Sequence, residues 1–247
     1  DFAGGTVVHV TAGVTALVAA IVLGGRRGFP TKPMPPHNLP ITVAGAGMLW
    51  FGWFGFNGGS QLAADGGAGM AILVTHLSAA AGSLAWMTIE WIRYRKPSVL
   101  GIVTGMVAGL GTITPASGFV GPLGGVLLGL LGGTVCYFAT QLIKLTWKID
   151  DSLDVFPVHG IGGALGTILV AVFIGTQFNG AGFPDGMTLS SQLQVQVLGV
   201  VAIAAYTGIV SVVLLKLVGT VVALRVDTES EQQGLDLSQH GESGYNH

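Results

Sequence analysis

Long uncharged stretches alternate along this chain with short clusters of charge. No charged side chain occurs between Asp1 and Arg26, between Lys32 and Asp65, or between Asp65 and Glu90. The same holds from Lys96 to Lys144, from Asp154 to Asp185, and from Asp185 to Lys216. A helix needs about 20 apolar residues to cross the hydrocarbon core of a bilayer. The pattern therefore predicts spans near 2–24, 40–60 and 67–90, a sixth between Asp154 and Asp185, and a last one near 191–224. The stretch from Lys96 to Lys144 is too long for one helix, and T-I-T-P-A-S-G at 112–118 divides it into spans near 98–113 and 120–143. The predicted fold class is all-α: a polytopic membrane helix bundle of about seven transmembrane helices over residues 1–226, followed by a polar tail, 227–247.

Composition agrees. Charged residues make up 9 % of the 247, against roughly 25 % in soluble domains, too few to cover a soluble surface. The ten lysines and arginines sort by side. Arg26, Arg27 and Lys32 fall in the first loop, Arg93, Arg95 and Lys96 in the third, Lys144 and Lys148 in the fifth, and Lys216 and Arg225 at the end of the last span. With seven alternating spans all ten lie on one side, which the positive-inside rule makes cytoplasmic. Asp1, Asp65 and Asp185 then face outward, and the C-terminal tail is cytoplasmic. The net charge of −2 offers no basic footprint for nucleic acid. A single cysteine, Cys136, excludes an internal disulfide framework. The chain opens on Asp1 at the edge of an apolar run, with no basic segment and cleavage site before it. It reads as a fragment, or a processed chain, whose upstream part is missing.

Histidines raise the chemical question. His9 lies eight residues past Asp1, ~12 Å along a helix, and His159 lies five past Asp154, ~8 Å, on a helix of opposite direction. Both should reach the interior of the slab, where ionisable side chains face a bundle interior or a cavity. Each read alone is as well explained by a structural imidazole bonded to a backbone carbonyl. Together, D-F-A-G-G-T-V-V-H and D-V-F-P-V-H occupy corresponding ends of two helices, as in inverted-repeat transporters whose substrate site lies between the repeats. A neutral imidazole has one donor and one acceptor nitrogen. Two of them can share one N–H···N bond and present their outer nitrogens to a small basic solute. His76 reads as a helix-packing hydrogen bonder, His37 as solvated in a proline-rich loop, and His240 and His247 as part of the polar tail. The glycine runs at 124–133 and 160–166 read as close helix packing.

The stretches D-F-A-G-G-T-V-V-H, P-H-N-L-P, W-F-G-F-N-G-G-S, D-D-S-L-D-V-F-P-V-H-G and G-L-D-L-S-Q-H-G-E-S-G-Y together resemble the ammonium transporter family (Amt/Mep/Rh). They do so in matching order, as its C-terminal portion: the fifth to eleventh helices of an eleven-helix inverted-repeat fold, plus the tail. The resemblance implies an ammonium channel or transporter, no enzyme and no cofactor, with ammonium, ammonia or methylammonium as substrate. By motif, His9 and His159 match the twin pore histidines and Phe56 the inner gating phenylalanine. Ser60 matches the serine of the outer recruitment site, Trp53 a pore-side tryptophan, and Asp1 an acid that supports the outer vestibule structurally. The family's second gating phenylalanine and its recruiting tryptophan belong to helices without a counterpart here. The resemblance further implies a homotrimer in the cell (plasma or inner) membrane, a tail packed on a neighbouring subunit, and a PII-type signalling protein at the cytoplasmic face.

Two other readings remain open. The family would accommodate an ammonium sensor that signals through its tail. A seven-helix retinal-type receptor would use Lys216 on the last span, although that lysine lies close enough to Arg225 to snorkel to the cytoplasmic side, and no acidic counter-ion sits mid-span.

Overall fold

A computed structural model describes residues 1–244; His247 lies outside them. Among the described residues six helices are long and apolar enough to cross a membrane: α1 (Gly5–Leu23), α2 (Leu39–Gly59), α3 (Gly66–Tyr94), α5 (Pro122–Thr146), α6 (Phe156–Phe173) and α7 (Leu189–Gly219). Between them α4 (Val99–Ile113) has 15 residues, ~22 Å of helix, short of the ~30 Å hydrocarbon core. It stops at the foreseen break. There the chain makes a turn whose carbonyls at Thr114 and Pro115 accept the amides of Ala3 and Phe2, while Phe2 packs edge-on to Phe119 at 5.7 Å. The N-terminal end of α1 is thereby tied to the end of α4. A short helix in the tail, α8 (Thr228–Gln233), follows α7.

Helix starts follow from short polar side chains. Asn38, Asp65 and Ser98 accept backbone amides of the first turns of α2, α3 and α4, and Thr188 with Ser191 closes a capping box on α7. Each satisfies donors that the first helical turn would leave orphaned.

The bundle has two packed groups. In one, α3 runs between α4 and α5 and also meets α2; in the other, α1 packs on α6 and α7. The groups join where α6 meets α4 and α5, over a core of Val74, Ile113, Val120, Leu128, Val170 and Phe173. Helix association in lipid rests on close packing and interhelical hydrogen bonds. Both appear in the Ser78 hydroxyl of α3, which is fully buried and donates to the Gly109 carbonyl of α4 at 2.8 Å. By contrast α2 and α7 keep most of their apolar side chains exposed, among them Met48, Phe51, Leu198 and Ile209.

Candidate pore site

The two histidine-bearing helices begin alike. Residues Gly5–Val10 of α1 and Phe156–Ile161 of α6 are π-helical, a local widening that often marks functional segments. Each is preceded by a carboxylate acting as a cap. Asp1 accepts the amides of Gly4 (3.1 Å), Gly5 (2.5 Å) and Thr6 (3.0 Å), and the Thr6 hydroxyl at 2.5 Å. Asp151 accepts the amides of Val155 (3.0 Å) and Phe156 (2.7 Å).

Asp151 is thus the counterpart of Asp1, a role the sequence reading gave to Asp154. The signal was present: Asp1 precedes His9 by the same eight residues that separate Asp151 from His159. Asp154 instead forms an ion pair with Lys144 at 2.7 Å. Burial pushes its carboxyl above the usual range, and the Lys144 ammonium pulls it back.

Backbone proximity sets the histidines side by side. A Cβ on Gly13 of α1 would lie 2.3 Å from the Gly160 Cα of α6, so only glycine permits this crossing. His9, one turn before Gly13, and His159, immediately before Gly160, meet with their Nδ1 atoms 3.1 Å apart, ring centroids 5.2 Å apart and planes tilted by 30°. His9 is 2 % exposed, and its Nε2 has no hydrogen-bond partner among the described residues.

Aromatic rings complete the wall. Trp53 stacks on His9 at 5.3 Å and 14°, and lies nearly parallel to His159 at 6.3 Å. Its indole N–H donates to the Thr114 hydroxyl at 2.9 Å, which in turn donates to the Leu110 carbonyl. The ring is therefore fixed by the break after α4, a partner the sequence did not reveal. Phe56, one turn on from Trp53, stands edge-on to His9 at 6.1 Å. Ser60 lies one further turn along; its hydroxyl donates to the Phe56 carbonyl at 2.8 Å. The next-door Asn57 is fully buried and donates to the Thr75 hydroxyl of α3 at 2.9 Å, holding this end of α2 in register.

Trp53, Phe56, His9 and His159 are thus brought together, Ser60 adjoins them through Phe56, and Asp1 stands at the start of the helix that carries His9. His76 is elsewhere: exposed on α3, it stacks on Trp50 at 5.1 Å. Ring stacking takes the place of the hydrogen bonds expected of it. Lys216 is exposed near the end of α7.

Two hydrogen-bonding imidazoles enclosed by aromatic faces agree with the motif resemblance, and comparison with known proteins extends it to the whole chain. The profile of the Ammonium Transporter Family matches residues 1–245. The chain belongs to the ammonium transporter family. Ammonium transporter Amt1 of Archaeoglobus fulgidus is 47 % identical over 99 % of the chain and 62 % of its own length. The ammonium transporter of Bacillus subtilis is 44 % identical over 99 % of the chain and 60 % of its own length. Among solved structures, one described as a sensor Amt protein superposes with a TM-score of 0.89 at 34 % identity, covering 97 % of this chain and 60 % of that one. Saccharomyces cerevisiae Mep2 gives 0.79 at 38 %, covering 91 % of this chain and 54 % of that one.

These matches correct the narrower placement drawn from motifs, which took the chain for the family's C-terminal portion, fifth to eleventh helices plus tail. The likeness belongs to the whole chain, from residue 1 to residue 245. Short motifs identify the family, but they do not number the helices of a longer relative. The chain spans about three fifths of the length of the curated relatives it matches. Family membership also removes the ground for a retinal-type receptor.

Proposed function

We propose that this ammonium transporter family chain conducts ammonia, taken up as ammonium, past the His9–His159 pair, and that it is a transporter and not an enzyme. The observation that carries the reading is the 3.1 Å Nδ1–Nδ1 contact under the stacked Trp53 ring. A single proton bridging two Nδ1 atoms makes the outer nitrogens unequal. The ring that donates has a bare Nε2, an acceptor; the ring that accepts carries its proton on Nε2, a donor. Ammonia can donate to the first and accept from the second. Potassium can do neither.

The remaining roles follow from charge. An aromatic face attracts a cation by ~0.5–2 kcal/mol, depending on desolvation, and Ser60 keeps lone pairs to accept an ammonium N–H while its own proton is committed to Phe56. Carrying a full charge to mid-membrane costs from ~2.5 to ~17 kcal/mol by different estimates. Loss of the proton before the histidines avoids that cost. Phe56, edge-on to His9, gates the approach, Trp53 walls the pore, and Asp1 supports the outer vestibule by capping α1.

We further infer seven spans, with α4 as the short one, in an inverted-repeat arrangement supported by the matching acid caps and π-helical starts of α1 and α6. Residues 1–226 form the membrane bundle, and the tail, 227–247, lies in the cytoplasm with all ten lysines and arginines. A homotrimer would cover part of the exposed apolar side of α2, and a PII-type protein would meet the tail.

The test is ammonium uptake into proteoliposomes with simultaneous current recording. His9→Ala and His159→Ala should each abolish or strongly alter flux; unchanged flux and selectivity in both would falsify the twin-imidazole role. The current distinguishes net ammonium from neutral ammonia. A second reading, an ammonium sensor, is favoured by the 0.89 superposition on a sensor Amt protein. It predicts binding of ammonium that alters the tail while flux stays negligible.

A further inference from the structure

On the side of His159 away from Phe56 the site opens into a cavity of about 580 Å³. Leu49, Leu100, Val103 and Val158 line it, and Arg26, Lys144 and Asp154 stand in its wall. Arg26 is committed: its guanidinium forms a two-point contact with Asp150, Nε–Oδ2 2.9 Å and Nη2–Oδ1 2.8 Å, and this hydrogen bonding holds the Asp150 carboxyl below its usual range.

Lys144 and Asp154 are the other charges in the wall, paired at 2.7 Å, their side chains 27 % and 18 % exposed. Helix capping does not explain Asp154, since Asp151 takes that role for α6. Asp154 also adopts a left-handed backbone, φ +56°, unusual for a residue other than glycine. A strained, largely buried carboxylate with no capping task faces the passage that leads from His159, five residues on, to the cytoplasmic side.

We propose that the Lys144–Asp154 ion pair is a charge filter at the inner mouth of the pore. Paired, the two add no net charge to the mouth, which suits a neutral solute. With the carboxylate alone, the mouth would attract potassium and other cations. With the ammonium alone, it would repel ammonium forming at the exit. This inference rests on the transport reading above.

Proteoliposomes holding the full chain, with ammonium and potassium gradients imposed in turn, test it. Lys144→Gln should lower ammonium-over-potassium selectivity about tenfold, the scale of one unit charge at ~10 Å in an intermediate dielectric. Asp154→Asn should slow ammonium flux by a similar factor and leave potassium excluded. The double substitution removes both charges and should recover selectivity and most of the flux. A pair that serves only as a latch between α5 and the loop before α6 would leave the double variant as impaired as the singles, with selectivity unmoved, and that result overturns the filter. Flux in the unmodified chain with identical selectivity in every variant overturns it as well. No ammonium flux in the unmodified chain overturns the transport reading, and the filter with it.

Discussion

Gly163 is where one methyl group would act directly on the histidine pair. A Cβ there would lie 2.6 Å from the His9 Cβ and 2.7 Å from the Gly5 carbonyl, distances that backbone and ring can relieve only by moving apart. Overpacking of this kind typically costs ~1–3 kcal/mol. Gly163→Ala should therefore yield a folded protein with a lowered melting temperature and a sharply reduced ammonium flux; wild-type flux would show that the 3.1 Å contact does not control passage. Trp53 supplies a second residue-scale prediction. Trp53→Phe keeps a ring beside His9 but deletes the indole bond to Thr114, worth ~0.5–1.5 kcal/mol net. Stability should fall by that order in a denaturation midpoint, and flux should change because the ring loses its fixed tilt. Spacing alone would have left Trp53 and Phe56 as packing aromatics. Their place beside His9 was legible only through the longer motif, because an aromatic facing the bundle interior and one facing lipid have the same helical periodicity.

Six of the spans read from charge spacing coincide with long apolar helices and the seventh with the shorter α4, which ends at the break read from the proline and small polar residues of 112–118. Both features act locally along the chain, which is why one sequence suffices for that much. The π-helical starts of α1 and α6 were not legible. Their extra residue per turn leaves no mark in a segment that is apolar on all sides, so nothing in the hydrophobic pattern changes register there. The choice of Asp154 over Asp151 failed for a related reason. Proximity to His159 favoured Asp154, whereas a carboxylate caps the turn that begins beyond it, so the acid one turn further back reaches the amides of Val155 and Phe156. This assignment predicts an asymmetry between two neighbouring acids. Asp151→Ala should lose ~0.5–2 kcal/mol, the usual cost of deleting such a cap, and should misplace His159, so that melting temperature and flux fall together. Asp154→Asn removes no cap but leaves Lys144 without its partner, so any loss of melting temperature should be recovered by adding Lys144→Gln, whereas the loss in Asp151→Ala should not.

At the scale of the molecule, the end of α1, the first loop and the tail are clamped by one arginine. The Arg225 guanidinium donates to the carbonyls of Leu23 (3.0 Å) and Gly25 (2.9 Å) and pairs with Glu231 of α8 at 2.7 Å. Glu231 also accepts the Arg27 amide at 2.9 Å, and the Arg27 guanidinium bonds Gln232. The glutamate joins tail, loop and bundle, and its hydrogen bonds from Arg225 first, then from the Arg27 amide, hold its carboxyl below the usual range. A depressed carboxyl stabilises the docked tail at any pH above the free value, ~4.3, and that contribution is lost as pH falls through the depressed value. Docking should therefore be insensitive between pH 8 and pH 5 and loosen only in stronger acid. The contacts are exposed, so salt should weaken them too. Limited proteolysis of the tail, or a fluorophore on α8, should report protection at pH 7 and release below about pH 4, with Glu231→Gln already partly released at pH 7. A tail that stays protected in that variant would mean that α8 is held by other contacts and that the arginine clamp is incidental.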